Sequence, residues 1–236
     1  MIQEAIILAG GLGTRLRKVV KDVPKPMADI NGKPFLWYLL NYLNNQGIEK
    51  VILSVGYKYE IIKSYFGDKF KNLKIIYSIE KELLGTGGAI KKALSLVEGD
   101  EAFVLNGDTF FDIDLNNFYN LHKNKKSILS IALKYMCNFS RYGRVLINEN
   151  NKIIAFEEKK FYKEGYINGG IYILKKDIFK GTKLKSKNKF SLEKDLLENY
   201  YKVSNFYGFP FNAFFIDIGI PEDYEICKIK FKRLFL

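Results

Sequence analysis

The stretch AIILAGGLGTRL, residues 5–16, decides how the chain is read. Residues 5–9 are apolar and short, as a central strand requires, and glycines at 10, 11 and 13 then end it. A buried strand that empties into a glycine turn lets backbone N–H groups approach an anion closely. Two familiar phosphate loops do not fit. The dinucleotide fingerprint needs a third glycine that Gly11-Leu12-Gly13-Thr14-Arg15-Leu16 lacks, and GxxxxGK followed by Ser or Thr is absent. Taken alone, the turn leaves a nucleotide cradle and a purely structural loop both open. Its company narrows the choice. Arg15 is a fixed cation with a planar fork suited to phosphate oxygens. Ten residues on, Lys25 stands between Pro24 and Pro26, which restrict the backbone on both sides and let a lysine be aimed.

Downstream, strand and helix patterns alternate. Helical spacing over 34–46 has Pro34 at its start and Gly47 after its end. Strands are expected at 50–55, 74–79 and 102–106, and helices at 58–66 and about 89–97, the last after the glycines of 85–88. This alternation predicts an α/β, Rossmann-like fold: a mixed, mostly parallel central sheet flanked by helices. Beyond residue 114 the texture changes. A helix over 115–124 precedes closely spaced strands at 127–134, 142–147, 152–158 and 166–174. A helix at 191–201 starts from Ser191, with Lys194 where a capping box wants Glu or Gln, so the cap is expected to be partial. Strands at 205–209 and 213–217 and a helix at 221–233 complete the pattern. Residues 1–236 are expected to form a single mixed α/β domain, in which a second half over about 115–236 decorates a first half over about 1–114.

The net charge of +12 favours anionic ligands. Lysine is spread along the chain, though, and no basic run interleaved with aromatics is found, so nucleic acid is not an expected partner. No stretch is apolar enough to span a membrane, no signal peptide is visible at the start, and a cytoplasmic protein is expected. Cys137 and Cys227 lack metal-ligand spacing and are expected to be reduced, buried thiols. Trp37 is expected in the core. His122, on a predicted helix with no Ser or Cys partner in a motif, is read as non-catalytic.

The ordered set GGLGTRL, PKPM and GKP resembles the N-terminal signature of the sugar-1-phosphate nucleotidylyltransferases, and the resemblance runs over nearly the whole chain. LLGTGGAI at 83–90, LNGDTFFD at 105–112, YGRV at 142–145, FEEK at 156–159, INGGIYIL at 167–174 and FFIDIGIPEDY at 214–224 follow in the family's order. One departure is Lys18, where many relatives carry proline. The resemblance implies a GT-A-like nucleotidyltransferase fold. It also implies a reaction joining a nucleoside triphosphate to a sugar 1-phosphate, with release of pyrophosphate. Within the family, the form with LLGTGG is most similar to guanylyltransferases of mannose-type sugars, above all the D-glycero-D-manno-heptose 1-phosphate guanylyltransferases, which serve capsule or surface-glycan synthesis. Mannose-1-phosphate guanylyltransfer and uridylyl-, thymidylyl- or cytidylyltransfer to a hexose 1-phosphate are the alternatives. A non-catalytic nucleotide-sugar sensor is a lesser one.

The resemblance also assigns roles. Leu8, Ala9, Gly10, Gly11, Gly13 and Thr14 are expected around the nucleotide. Arg15 is expected on the β- and γ-phosphates, Lys25 at the α-phosphate, and Glu80, Gly85 and Gly88 near the base. Asp108 and Asp217 are implied as ligands of Mg²⁺, which takes carboxylate and phosphate oxygens. Arg15, Lys25 and Asp108 form the implied catalytic set. Asn106, Gly143, Glu158, Lys159, Asn168 and Gly169 are implied in sugar-phosphate binding. Asp112 and Asp114 are read as turn or cap residues. The expected partners leave room for a homo-oligomer.

Overall fold

The computed structural model describes residues 2–11, 13, 16, 20 and 22–235. Thr14 and Arg15, expected at the nucleotide phosphates, and Lys18 lie outside the described residues.

The first half runs β1 (Glu4–Leu8), β2 (Asp29–Ile30), β3 (Lys33–Pro34), α1 (Phe35–Asn45), β4 (Lys50–Val55) and α2 (Tyr59–Phe66). It continues with β5 (Lys69–Phe70), β6 (Leu73–Ile79), α3 (Gly85–Leu94), β7 (Glu101–Asn106), β8 (Thr109–Phe111) and α4 (Leu115–Asn124). The second half contains β9 (Leu129–Phe139), β10 (Arg144–Ile147), β11 (Ile153–Glu157) and β12 (Tyr162–Lys175). A wide-turned helix, Leu192–Leu197, runs into α5 (Glu198–Tyr200), and β13 (Phe206–Phe211), β14 (Phe215–Asp217) and α6 (Pro221–Phe235) follow.

The main sheet has the order β11-β10-β12-β7-β1-β4-β6-β5, with β9 beside β12 and β13 beside β9. Its centre is parallel: β1 pairs in parallel with β4 and β7, and β4 with β6. The flank built by the second half is mostly antiparallel, β12 pairing against β7, β9 and β10, while β13 runs parallel to β9. Strand alternation sends successive side chains to opposite faces. Ile7 therefore joins the core beneath α1, α4 and α6, and Ile6 joins the one beneath α3 and the wide-turned helix. Both faces are covered, which is why β1 and β4 read as continuous apolar runs.

Four expectations are corrected in detail. The third helix starts at Gly85, so the glycines of 85–88 form its first turn and do not precede it. The amides of Gly87 and Gly88 donate to the Phe190 carbonyl at 3.0 and 3.2 Å, and this tertiary contact overrides glycine's poor helix propensity. The Ser191 cap is fuller than expected. Ser191 Oγ accepts from Lys194 N, and the reciprocal partner is Asp195, whose carboxylate accepts from Ser191 N at 2.7 Å. The wide turns move that return partner one residue along. Cys227 is buried, its thiol pushed up to about 12 by desolvation, but Cys137 is exposed on β9. Trp37 is only half-buried, with the Lys33 ammonium 3.8 Å from its ring centroid. Asp114 caps α4 as expected, accepting from Asn117 N at 3.0 Å.

Candidate active site

β1 lies between β4 and β7, so the chain leaves it to opposite sides, and a crevice opens at the carboxyl ends of these strands. A cavity of about 390 Å³ occupies that position. Its lining includes Leu8 at the end of β1 with Ala9, Gly10, Gly11 and Gly13 after it, Asn106 at the end of β7 with Asp108 after it, and Lys25, Glu80 and Gly85. Nine of the residues expected around a nucleotide and a metal, with Asn106 from the expected sugar-phosphate set, thus converge, although they come from five separate stretches of chain. The turn after β7 is held against β1 by Gly107 N, which donates to the Leu8 carbonyl at 2.9 Å. A Cβ at Gly107 would lie 2.4 Å from that same oxygen, so no larger residue lets Asp108 sit this close to the end of β1.

Lys25 is aimed by its frame. It opens a short 3-10 turn, Lys25–Met27, after extended Pro24, and Ala28 N returns to its carbonyl. Gly13 leans on it from the glycine turn: Gly13 has φ +59°, and a Cβ there would stand 3.0 Å from Lys25 Cβ. The Lys25 ammonium donates to Asp108 Oδ2 at 2.5 Å and lies 3.9 Å from Asp217 Oδ1. Asp217 closes β14, which pairs antiparallel with β8, placing Asp217 opposite Thr109 and so beside Asp108. Gly219 N and Tyr142 Oη donate to its two oxygens at 2.7 and 3.3 Å. Burial and the negative charge of Asp108 raise the Asp217 pKa, while Lys25 opposes the shift. Two hard carboxylates around one cation position suit a divalent ion that draws its remaining oxygens from phosphate and water. No cluster of three or more acidic, His or Cys ligands occurs among the described residues.

Glu80 lines the cavity, but both its oxygens are engaged: Oε1 accepts from Ser54 Oγ and Oε2 from Leu84 N, each at 3.2 Å. Gly88 does not line the cavity. A Cβ there would stand 2.1 Å from the Asn188 carbonyl, so the position packs on the 188–190 segment. The implied sugar residues divide. Asn106 reaches the cavity, whereas Gly143, Glu158, Lys159, Asn168 and Gly169 lie outside its lining. Asn168 and Gly169 sit where the β12 ladder with β9 shifts register. There Asn168 Nδ2 donates to Tyr172 Oη at 2.8 Å. Glu157 forms an ion pair with Arg144, and Glu158 and Lys159 follow it exposed, past the end of β11.

Sequence reasoning missed Glu193, a cavity residue from the second half. The signal was present in Ser191-Leu192-Glu193, a helix start carrying an acid, but nothing local says that this start faces the glycine turn. His122 also has a partner that its sequence context hides. Ser130 Oγ lies 2.8 Å from Nδ1 and Glu101 Oε1 3.3 Å from Nε2, yet the imidazole is on the buried face of α4 and outside the cavity lining.

A family model described as "Nucleotidyl transferase" matches residues 4–230. The chain belongs to the nucleotidyl transferase family. It is similar to the D-glycero-alpha-D-manno-heptose 1-phosphate guanylyltransferase of Campylobacter jejuni, with 57% identity over 94% of this chain and 96% of that one. The protein of the same name from Aneurinibacillus thermoaerophilus is 53% identical over 94% of this chain and 95% of its own length. The crystal structure of HddC from Yersinia pseudotuberculosis complexed with GMP-PN superposes with a TM-score of 0.87. Identity there is 42%, over 98% of this chain and all of that one. This nucleotidyl transferase is therefore an enzyme of the nucleotidyltransferase class, and its mixed, mostly parallel sheet with flanking helices is that of a nucleotidyltransferase fold. No helix among the described residues is long and apolar enough to cross a membrane.

Proposed function

We propose that this chain transfers a guanylyl group from GTP to D-glycero-α-D-manno-heptose 1-phosphate, giving GDP-heptose and pyrophosphate for a surface glycan. The chemistry rests on one observation: Lys25 and Asp108 line a cavity walled by the glycine turn, and the same Lys25 ammonium stands 3.9 Å from Asp217. The choice of substrates rests on near full-length similarity to two heptose 1-phosphate guanylyltransferases.

In this reading an oxygen of the sugar phosphate attacks the α-phosphorus of GTP. The bond from that phosphorus to the β-phosphate bridging oxygen breaks, and pyrophosphate leaves with the electron pair. No covalent enzyme intermediate is required. The protein holds mutually repelling anions in line and neutralises charge as it moves. Lys25 takes the α-phosphate oxygens, Arg15 the departing pyrophosphate, and the amides of the glycine turn the nucleotide. Asp108 and Asp217 would hold Mg²⁺, which when bound supplies positive charge to the triphosphate oxygens. The sugar binds on the β12 side, near Asn106, Asn168 and Gly169. Because the cavity takes walls from both halves, we read the chain as one functional unit, working in the cytoplasm on small anions.

Pyrophosphate release in Mg²⁺ tests this, with GTP, ATP, UTP, CTP and dTTP crossed against heptose, mannose and glucose 1-phosphates. GTP with heptose 1-phosphate should dominate the grid. Dominance of another pair would reassign the substrates, and silence throughout, in folded protein, would overturn the reading.

A further inference from the structure

Tyr142 has no part in the functional reading, yet its hydroxyl touches one of the two carboxylates on which that reading depends. It lies half-buried in the loop between β9 and β10, and its Oη donates to Asp217 Oδ2 at 3.3 Å. Gly219 N donates to the other oxygen, Oδ1, at 2.7 Å. Among the described residues, Tyr142 is the one side chain that gives Asp217 a hydrogen bond. A donor on one oxygen alone leaves a carboxylate free to turn about its Cβ–Cγ bond, a broad torsion. Donors on both oxygens fix its plane. The plane fixed here leaves Oδ1 3.9 Å from the Lys25 ammonium, which also contacts Asp108.

The ring is held independently of its hydroxyl. It packs against the cluster of Phe139, Tyr162 and Ile167 and meets Phe215 edge-on, with centroids 6.3 Å apart. The adjoining Arg141 guanidinium lies 5.5 Å from the ring centroid and pairs with Asp223 in the first turn of α6. On the other side Gly143 is pressed against β11, where a Cβ would stand 2.5 Å from the Glu157 carbonyl. The loop is thus anchored to α6 by Arg141 and to β11 by Gly143, and neither anchor uses the phenol oxygen. That oxygen serves the carboxylate it touches. Outer hydrogen-bond partners that orient a metal-binding carboxylate are worth about 10- to 100-fold in metal affinity.

We propose that Tyr142 is a positioning residue whose hydroxyl sets the Asp217 carboxylate to hold a divalent ion together with Asp108. This rests on the functional reading above.

The test uses the full chain, with Mn²⁺ as a paramagnetic stand-in for Mg²⁺, and compares wild type, Tyr142→Phe, Asp217→Asn and the double variant. Tyr142→Phe keeps the ring and its packing, and melting curves check that each protein is folded. Affinity for GTP is measured in EDTA. Affinity for the Mn²⁺–GTP complex is followed by water-proton relaxation, with no sugar 1-phosphate present. Tyr142→Phe should weaken Mn²⁺–GTP binding about 10- to 100-fold and leave GTP binding in EDTA within about twofold. In the Asp217→Asn background, loss of the hydroxyl should change nothing further, because the charge it positions is gone. In steady state, the Mg²⁺ concentration for half-maximal rate should rise in Tyr142→Phe, with kcat recovered at saturation. Equal Mn²⁺–GTP binding in wild type and Tyr142→Phe would overturn the proposal. So would an equal loss in EDTA, or an undiminished loss in the Asp217→Asn background. A change confined to KM for the sugar 1-phosphate would place the hydroxyl on the sugar and overturn it too. A wild type that binds GTP no more tightly with Mn²⁺ than in EDTA would overturn the metal assignment in the functional reading together with this proposal.

Discussion

Lys25 Nζ sits 2.5 Å from Asp108 Oδ2, a contact between residues 83 apart in sequence, and the lysine side chain is only 10% exposed. The pairing ties the Pro24–Pro26 segment to the end of β7 and fixes where positive charge meets the cavity. Asp108→Asn removes a charge and almost no volume. We expect it to lower kcat by about 10³-fold, the scale seen when a preorganised charge contact to the reacting group is lost. Its melting temperature should change little, since Asp108 is partly exposed. Steady-state rates at rising Mg²⁺ check this, and recovery to near wild-type turnover would refute the role.

Asp217 should behave differently although it shares the same ammonium. Its folded-state pKa is raised, by burial first and by the charge of Asp108 second. A carboxylate with a raised folded pKa contributes stability below its unfolded pKa and loses it as pH rises through the folded value. At neutral pH the ionised group is therefore a burden on the fold. Asp217→Asn should raise the melting temperature at pH 7 by roughly 2–4 °C while abolishing turnover. A variant that melts lower at neutral pH and regains nothing on acidification would show that the carboxylate is needed for packing.

The glycine turn makes a prediction with a built-in control. Gly13→Ala puts a side chain at φ +59°, at a cost of about 1–2 kcal/mol, and pushes a methyl to 3.0 Å from Lys25 Cβ. Gly32→Ala has the same kind of strain at φ +85°, with nothing within 4 Å of the new methyl. Both should lose stability. Only Gly13→Ala should lose kcat, by about tenfold or more, because only it displaces the lysine. Equal kinetics in the two variants would separate the turn from Lys25.

These contacts show where the sequence speaks and where it falls silent. β4 over Lys50–Val55 and α4 over Leu115–Asn124 match the expected bounds, because an apolar run and an amphipathic repeat capped by Asp114 are local signals. β8 carries no such signal, and β14 keeps only the last three residues of the strand expected at 213–217. Each is three residues long and exists only by pairing with the other across a hundred residues of chain, yet that pair brings Asp217 to Asp108. α3 starts early because Phe190 holds its glycine amides. The motifs identify Lys25, Asp108 and Asp217 only through the family resemblance; spacing alone could not bring them together. Glu193 lies within no quoted landmark, and its place is set by Thr86, more than a hundred residues earlier.

His122 gives a pH dependence unrelated to the cavity. Burial lowers its pKa, and the Lys175 charge adds to that, while Glu101, at 3.3 Å from Nε2, pulls the other way; desolvation wins. A base whose folded pKa is depressed holds fewer protons in the folded chain than in the unfolded one. Its stability contribution is whole above the unfolded value of about 6.5 and is lost as pH falls through the folded value. Wild type should therefore lose melting temperature on going from about pH 7.5 to about pH 5, an interval above the ordinary titration of most carboxylates. His122→Gln cannot take up that proton. It should start lower, having lost the fit to Ser130 and Glu101, but fall less steeply over the same interval. Parallel melting curves for the two proteins across that range would mean that His122 keeps an ordinary pKa on the buried face of α4 and that other groups set the acid sensitivity.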